Sequence, residues 1–177
     1  MEKRYANGII LGRFQPFHKG HASIVEQALE KADRVLILVG SAQESRTVRN
    51  PYSYEERARL IKKIFPERVI LYPLRDLGIG DVNGWGEYVI TSAEKALGEK
   101  AECLFLGHEE KNAKWLSPER KAQIDLVELS RASIPISATM VRSFLLEDDF
   151  EGYKQAMKEE LYEDYAWLRE VLLGIEG

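Results

Sequence analysis

The chain has one cysteine, Cys103, among its 177 residues. That excludes an internal disulfide and any metal cluster built on several thiolates, and it suits a reducing cytoplasm. Long apolar runs are missing as well. The longest, Val35-Leu36-Ile37-Leu38-Val39, has five residues, far short of the roughly 20 that a bilayer span requires. Met1 to Gly8 contains no apolar stretch of signal-peptide length, so a cytoplasmic protein without a membrane partner is expected. Nor is there a surplus of basic charge: 25 Lys and Arg face 29 Asp and Glu, for a formal net charge of −4. A sequence-independent binder of DNA or RNA normally needs a basic face, so no nucleic-acid polymer is expected. A local pocket can still oppose the overall sign, which leaves mononucleotides open. With 13 Gly and 6 Pro the chain is neither fibrous nor low in complexity, and no internal repeat is visible.

What the sequence does contain is ordinary in amount, with 45% hydrophobic and 31% charged residues, and regular in arrangement. A chain of this length buries roughly 70% of its unfolded surface, so one domain, 1–177, is expected, with no room for a second catalytic domain. Short apolar runs alternate with amphipathic stretches. Gly8 to Gly12, Val35 to Val39, Arg68 to Tyr72, Ala101 to Leu106 and, more weakly, Ile124 to Leu129 read as buried strands. Lys19 to Ala32 and Gly84 to Leu97 carry apolar residues at helical spacing. Ser53 with Glu56 three residues on forms a capping box opening a helix that stops before Pro66. Ser137 to Leu146 and Leu161 to Leu173 complete a helical C-terminal part, 137–177, in which Leu161, Tyr165, Leu168 and Leu172 form a core stripe.

Strands apolar throughout, separated by amphipathic helices, specify the α/β class: a Rossmann-like parallel sheet with helices on both faces. Ligands of such sheets bind beyond the carboxyl ends of the strands. The loops after Leu11, Val39, Tyr72 and Leu106 therefore hold the candidate site.

The first of these loops, Gly12-Arg13-Phe14-Gln15-Pro16-Phe17-His18-Lys19-Gly20-His21, sets two imidazoles three residues apart where a strand becomes a helix. Free amides and the macrodipole at a helix start attract anions. Arg13 and Lys19 add positive charge, Gly20 lets backbone come close, and both histidines can donate to phosphate oxygens. This is a phosphate cradle without a Walker A loop. Zinc is the weaker reading, because His108 and Cys103 are the only other soft ligands and they lie far along the chain. Near the other end, Pro135 leads into Ile136-Ser137-Ala138-Thr139-Met140-Val141-Arg142. There Ser137 or Thr139 can cap a helix whose amides, together with Arg142 one turn inside, suit the same anion.

These two segments resemble the His-x-Gly-His and Ile-Ser-x-Thr-x-x-Arg signatures of the nucleotidyltransferase superfamily, in the expected order. Gly40-Ser41-Ala42-Gln43-Glu44-Ser45-Arg46-Thr47-Val48-Arg49-Asn50-Pro51-Tyr52 is similar to the matching loop of nicotinamide mononucleotide adenylyltransferases of the archaeal type. That resemblance implies the nucleotidyltransferase fold and an enzyme that joins nicotinamide mononucleotide (NMN) to the AMP moiety of ATP, giving NAD and pyrophosphate. It implies catalytic roles for His18, His21 and Arg142. It implies ATP contacts at Gly12, Arg13, Phe14, Gly20, Gly107, Ile136, Ser137 and Thr139, with His108 beside Gly107 near adenine.

For NMN the resemblance implies Arg49 on the phosphate, with Asp76 or Asp81, Asn83 and Trp85 on the nicotinamide. An indole face suits a flat pyridinium by stacking and cation–π attraction. Here the segment departs from the archaeal pattern, with Gly78-Ile79-Gly80-Asp81 added and a shorter gap from Asn83 to Trp85. Mg²⁺ is expected to arrive with ATP rather than in a protein-built metal site, and a homo-oligomer is implied. The alternatives are another adenylyl- or cytidylyltransferase of the superfamily, such as one acting on phosphopantetheine, a nucleotide-binding regulator, and a tRNA-acting relative of class I synthetases. The last is disfavoured by a short acidic chain that lacks a Lys-Met-Ser-Lys-Ser-like segment.

Overall fold

A computed structural model describes residues 4–76, 82–107, 115–130 and 135–175, with backbone alone for Val82 and Asn83. Five parallel strands, β1 (Tyr5–Gly12), β2 (Ala32–Val39), β3 (Val69–Pro73), β4 (Cys103–Leu106) and β5 (Asp125–Glu128), lie in the order β3-β2-β1-β4-β5. Strand order therefore reverses between β1 and β4, and the crevice beyond their carboxyl ends is the natural ligand position.

Successive strand residues point to opposite faces, and both faces are covered, which is why the runs are apolar throughout. Ile10, Val35, Ile37 and Val39 pack under α1 (Lys19–Lys31) and α2 (Tyr54–Ile64), against Val25, Ala28, Ile61 and Phe65. Ile9, Leu36, Leu38 and Leu104 pack under α3 (Val82–Leu97), against Val89, Ile90, Ala93 and Leu97. Each fully buried side chain of this size contributes about 1.5–3 kcal/mol. The α/β expectation is met, and all five strands fall where the apolar runs place them. β1 and β2 each begin three residues earlier, because pairing such as Tyr5 with Ala32 continues the ladder into polar sequence. Ser53 accepts from the Glu56 amide, completing the expected capping box.

A third core joins Tyr52 and Leu60 to α5 (Ala138–Leu146), α6 (Phe150–Ala156) and α7 (Tyr165–Leu173) through Val141, Leu145, Tyr153, Met157, Leu161 and Leu168. Three details differ from the sequence reading. The helix expected over 161–173 is a 3₁₀ segment, Glu159–Asp164, followed by α7. Asp164 marks the change, with its carboxylate accepting from Trp167 Nε1 and Lys63 Nζ, each at 2.6 Å. α6 was not expected at all, since seven residues around Gly152 show too little periodicity. Gly152 is required there because a Cβ would stand 2.7 Å from the Phe144 ring. The single-turn α4 (Pro118–Lys121), capped by Ser117, was likewise missed. No helix among the described residues is long and apolar enough to cross a membrane.

Candidate active site

His18 and His21 cap α1 reciprocally. His18 is the N-cap residue, and its Nδ1 accepts from the amides of Gly20 at 3.0 Å and His21 at 3.4 Å. His21 Nδ1 accepts in turn from the His18 amide at 3.2 Å. This is a capping box in which both polar side chains are imidazoles. Because each Nδ1 is an acceptor, each ring keeps its proton on Nε2 and stays neutral. Burial agrees: it pulls His18 down to about 4, and burial with the neighbouring His18 holds His21 well below its ordinary range. The two rings stack 3.7 Å apart, and Phe14 meets His21 edge-on at 4.8 Å. Gly20 makes the arrangement possible, since a Cβ there would lie 2.8 Å from His18 Cε1.

The second motif reaches this loop. Ser137 caps α5, accepting from the Met140 amide at 3.0 Å, so of the two expected hydroxyls it is Ser137 that closes the helix. Thr139 Oγ1 instead accepts from Arg142 Nη2 at 3.3 Å, and Arg142 Nη1 donates to the Gln15 carbonyl at 2.6 Å. The Ile136 carbonyl approaches the side of Gly20, 3.9 Å from where a Cβ would stand. Residues some 120 apart in sequence thus form one surface around the start of α1. Burial lowers the Arg142 guanidinium from its usual value and Arg13 adds to the effect. The two cations are close enough to repel, and an anion between them would relieve that repulsion.

Two buried side chains that sequence reading passed over organise this surface. Gln15 Nε2 donates to the Tyr52 carbonyl at 3.1 Å while its Oε1 accepts from the Tyr52 amide at 3.0 Å, tying the first loop to the segment before α2. Arg57, fully buried on α2, donates through Nη1 to the carbonyls of Arg13 and Gly40, both at 2.7 Å. Its Nη2 reaches the Ser41 carbonyl at 3.3 Å and its Nε the Ser53 carbonyl at 3.1 Å. Side-chain patterning offers no sign of either role, because the partners are main-chain groups, most of them brought in from other loops.

In the loop after β2, Arg46 forms a bidentate pair with Glu56 at 2.6 and 2.9 Å and donates to the Pro51 carbonyl, so it holds the loop's shape. Arg49 is exposed on the same loop and has no ion pair or hydrogen bond among the described residues. After β3, Asp76 is held by a residue not singled out beforehand: Gln43 Nε2 donates to Asp76 Oδ2 at 3.2 Å and Gln43 Oε1 accepts from the Asp76 amide at 3.1 Å. Trp85 is partly buried against the α3 core beside Tyr88, ring centroids 5.5 Å apart. Asn83 lies in the first turn of α3. Asp81 and His108 lie outside the described residues. Gly107 follows β4, and among the described residues nothing lies within 4 Å of a Cβ position there. The geometry therefore brings together Gly12, Arg13, Phe14, His18, Gly20, His21, Ile136, Thr139 and Arg142. No hydrogen bond or ion pair joins Arg49, Asp76 or Trp85 to them among the described residues.

The Cytidylyltransferase-like family model matches residues 9–79, which include the first loop, β2 and the loop after it. Nicotinamide-nucleotide adenylyltransferase of Saccharolobus solfataricus is 38% identical over 96 residues, covering 51% of this chain and 55% of that protein. The enzymes of the same name from Thermococcus sibiricus and Pyrococcus furiosus are each 31% identical, over 147 and 149 residues, covering 80% of this chain and 74% of theirs. The chain thus spans about half the length of the first relative and about three quarters of the other two. Among solved structures, the bifunctional NMN adenylyltransferase/ADP ribose pyrophosphatase of Francisella tularensis superposes with a TM-score of 0.79 at 20% identity, covering 99% of this chain and 52% of that one. That likeness establishes the fold. On the Thermococcus and Pyrococcus matches, which cover 80% of this chain and 74% of each relative, the chain belongs to the nicotinamide-nucleotide adenylyltransferase family.

Proposed function

We infer that this chain transfers the adenylyl group of ATP to nicotinamide mononucleotide, giving NAD and pyrophosphate. The observation that carries the reading is the reciprocal imidazole cap, with Arg142 bonded to the same loop, in a member of this family. An oxygen of the NMN phosphate attacks the α-phosphorus of ATP, a new phosphoanhydride bond forms, and the α–β bond breaks to release pyrophosphate. The nucleophile is already anionic, so no base is needed. The barrier lies in bringing two anions together and in the charge that builds on the α-phosphoryl oxygens. Fixed donors aimed at that charge lower it.

His18 and His21 suit the task as neutral Nε2–H donors, since their Nδ1 atoms are taken by the α1 amides. Arg142 would steady the leaving β,γ-phosphates. Gly12, Arg13, Phe14, Gly20, Gly107, Ile136, Ser137 and Thr139 would line the ATP side, and Arg49, Asp76, Asn83 and Trp85 the NMN side. The substrate is taken as Mg²⁺–ATP, with the ion bridging phosphate oxygens. A buried lone thiol, Cys103, is compatible with a cytoplasmic setting.

The test follows pyrophosphate release from Mg²⁺–ATP with NMN, nicotinate mononucleotide and phosphopantetheine as acceptors. Turnover with NMN is expected. Release with phosphopantetheine and with neither pyridine mononucleotide overturns the reading.

A further inference from the structure

Arg57 is the largest fully buried side chain of the described residues. Burying a guanidinium is costly unless its donors are satisfied, and an aliphatic chain of similar volume would fill the space without that cost. No carboxylate pairs with Arg57 among the described residues. Its partners are four carbonyl oxygens: Ser53 in its own capping turn, Arg13 beyond β1, and Gly40 and Ser41 beyond β2. Those last three belong to the two loops that open at the carboxyl edge of the sheet.

We propose that Arg57 is a positioning residue that sets the peptide planes of the adenylyl-transfer loops from beneath. A trans peptide is planar, with its C=O and the following N–H pointing in opposite directions. By drawing the Arg13 and Gly40 carbonyls to one Nη1 atom, Arg57 turns the N–H groups of Phe14 and Ser41 away from α2. The same loops are laced together above it. The Gly40 amide donates to the Gly12 carbonyl at 2.7 Å, the Leu74 amide to the Val39 carbonyl at 2.9 Å, and the Ala42 amide to the Leu74 carbonyl at 3.0 Å. One planar cation with several fixed donors can orient several carbonyls at once, which a lysine cannot. Phe14 holds a left-handed backbone, φ 55, a conformation that needs such external support in a residue other than glycine.

The role rests in part on the adenylyl-transfer reading, so the test separates the two. R57Q and R57K are compared with wild type in kcat, in KM for NMN, in thermal unfolding and in Mg²⁺–ATP affinity by calorimetry without acceptor. For R57Q the expected result is a fall in kcat of about 100-fold, the scale of a 1 Å misplacement, with KM for NMN within about threefold of wild type. ATP affinity weakens about tenfold, a single lost charged contact's worth. R57K regains part of both losses because it restores charge to two of the carbonyls. Folded variants with wild-type kcat and ATP affinity overturn the proposal, as does a loss confined to unfolding temperature or to KM for NMN. Should R57Q not fold, R57K decides by the same criteria; if neither folds, Arg57 is a folding residue and the proposal falls. If wild type binds ATP but adenylylates no NMN, the acceptor reading fails, and the ATP titrations of the two variants still decide the case for Arg57.

Discussion

At the scale of single residues, His18 and His21 each carry two jobs on one ring, and the two nitrogens divide them. Nδ1 holds the helix, and Nε2 is the atom proposed to meet substrate. Asparagine can take over the first job alone, since its Oδ1 sits where Nδ1 sits and it is among the best N-cap residues. H18N is therefore expected to keep its unfolding temperature while losing turnover about 100-fold, as for removal of one transition-state donor. H18A is expected to lose turnover and, with the cap gone, about 1 kcal/mol of stability. Equal unfolding temperatures for the two variants would remove the capping role.

The same nitrogen sets a pH dependence. His18 takes a proton near 4 when folded and near 6.5 when unfolded. As pH falls the unfolded chain is protonated first. The stability tied to neutral His18 is thus complete above about 6.5 and lost progressively down to about 4, amounting to about 3 kcal/mol. Thermal unfolding of wild type and H18N should coincide near neutral pH and separate as pH falls through that range, with wild type losing the more; parallel curves would contradict it. Gly20→Ala offers a further contrast. Alanine favours a helix over glycine by about 1 kcal/mol, but its Cβ would displace the His18 ring. Activity should fall much further than stability, as read by kcat beside the unfolding midpoint.

At the scale of elements, contacts between segments matter more than propensity. Gly86 lies in α3, where a glycine ordinarily weakens a helix. A Cβ at this position would stand 2.2 Å from the Trp115 carbonyl, so backbone and not a movable side chain blocks it. Gly86→Ala is expected to cost about 1–3 kcal/mol through overpacking, read as a drop of several degrees in unfolding temperature. An unchanged or raised midpoint would mean that the 115–116 segment does not press on α3. Element signals in the sequence were strong wherever a cap and an apolar period coincide, as at Ser53 and Ser137. They were weak for α6, where seven residues flank a glycine chosen for its fit against Phe144.

At the scale of the whole molecule, the C-terminal helices are tied to the site by the third core and by polar contacts across it. Tyr52 donates to the Leu168 carbonyl at 2.7 Å while its own backbone is read by Gln15 in the first loop. Tyr52→Phe removes that hydroxyl bond and nothing else. It is expected to cost about 1 kcal/mol, a shift of about 2–4 °C at this chain length. A larger loss in kcat than this would show that the C-terminal helices also set the loop's position.

The amino-acid sequence alone determined the α/β class, the five strands, the principal helix starts and the two motifs that face each other across the sheet's carboxyl edge. Those features are written in short-range signals, namely apolar period, caps and residue spacing. The sequence already set Arg13 and Arg142 toward one anion, but nothing in it showed that a buried Arg57 bonds the backbone of the same loops. Only the tertiary structure decided that, along with the clasp of Gln43 on Asp76, the Gln15–Tyr52 pairing and the choice of Ser137 over Thr139 as cap. Arg57 meets carbonyls 44 and 17 residues away. Every residue carries a carbonyl, so which ones will converge leaves no mark in the order of side chains. Strand order and crossover bring them together, and the guanidinium then holds them.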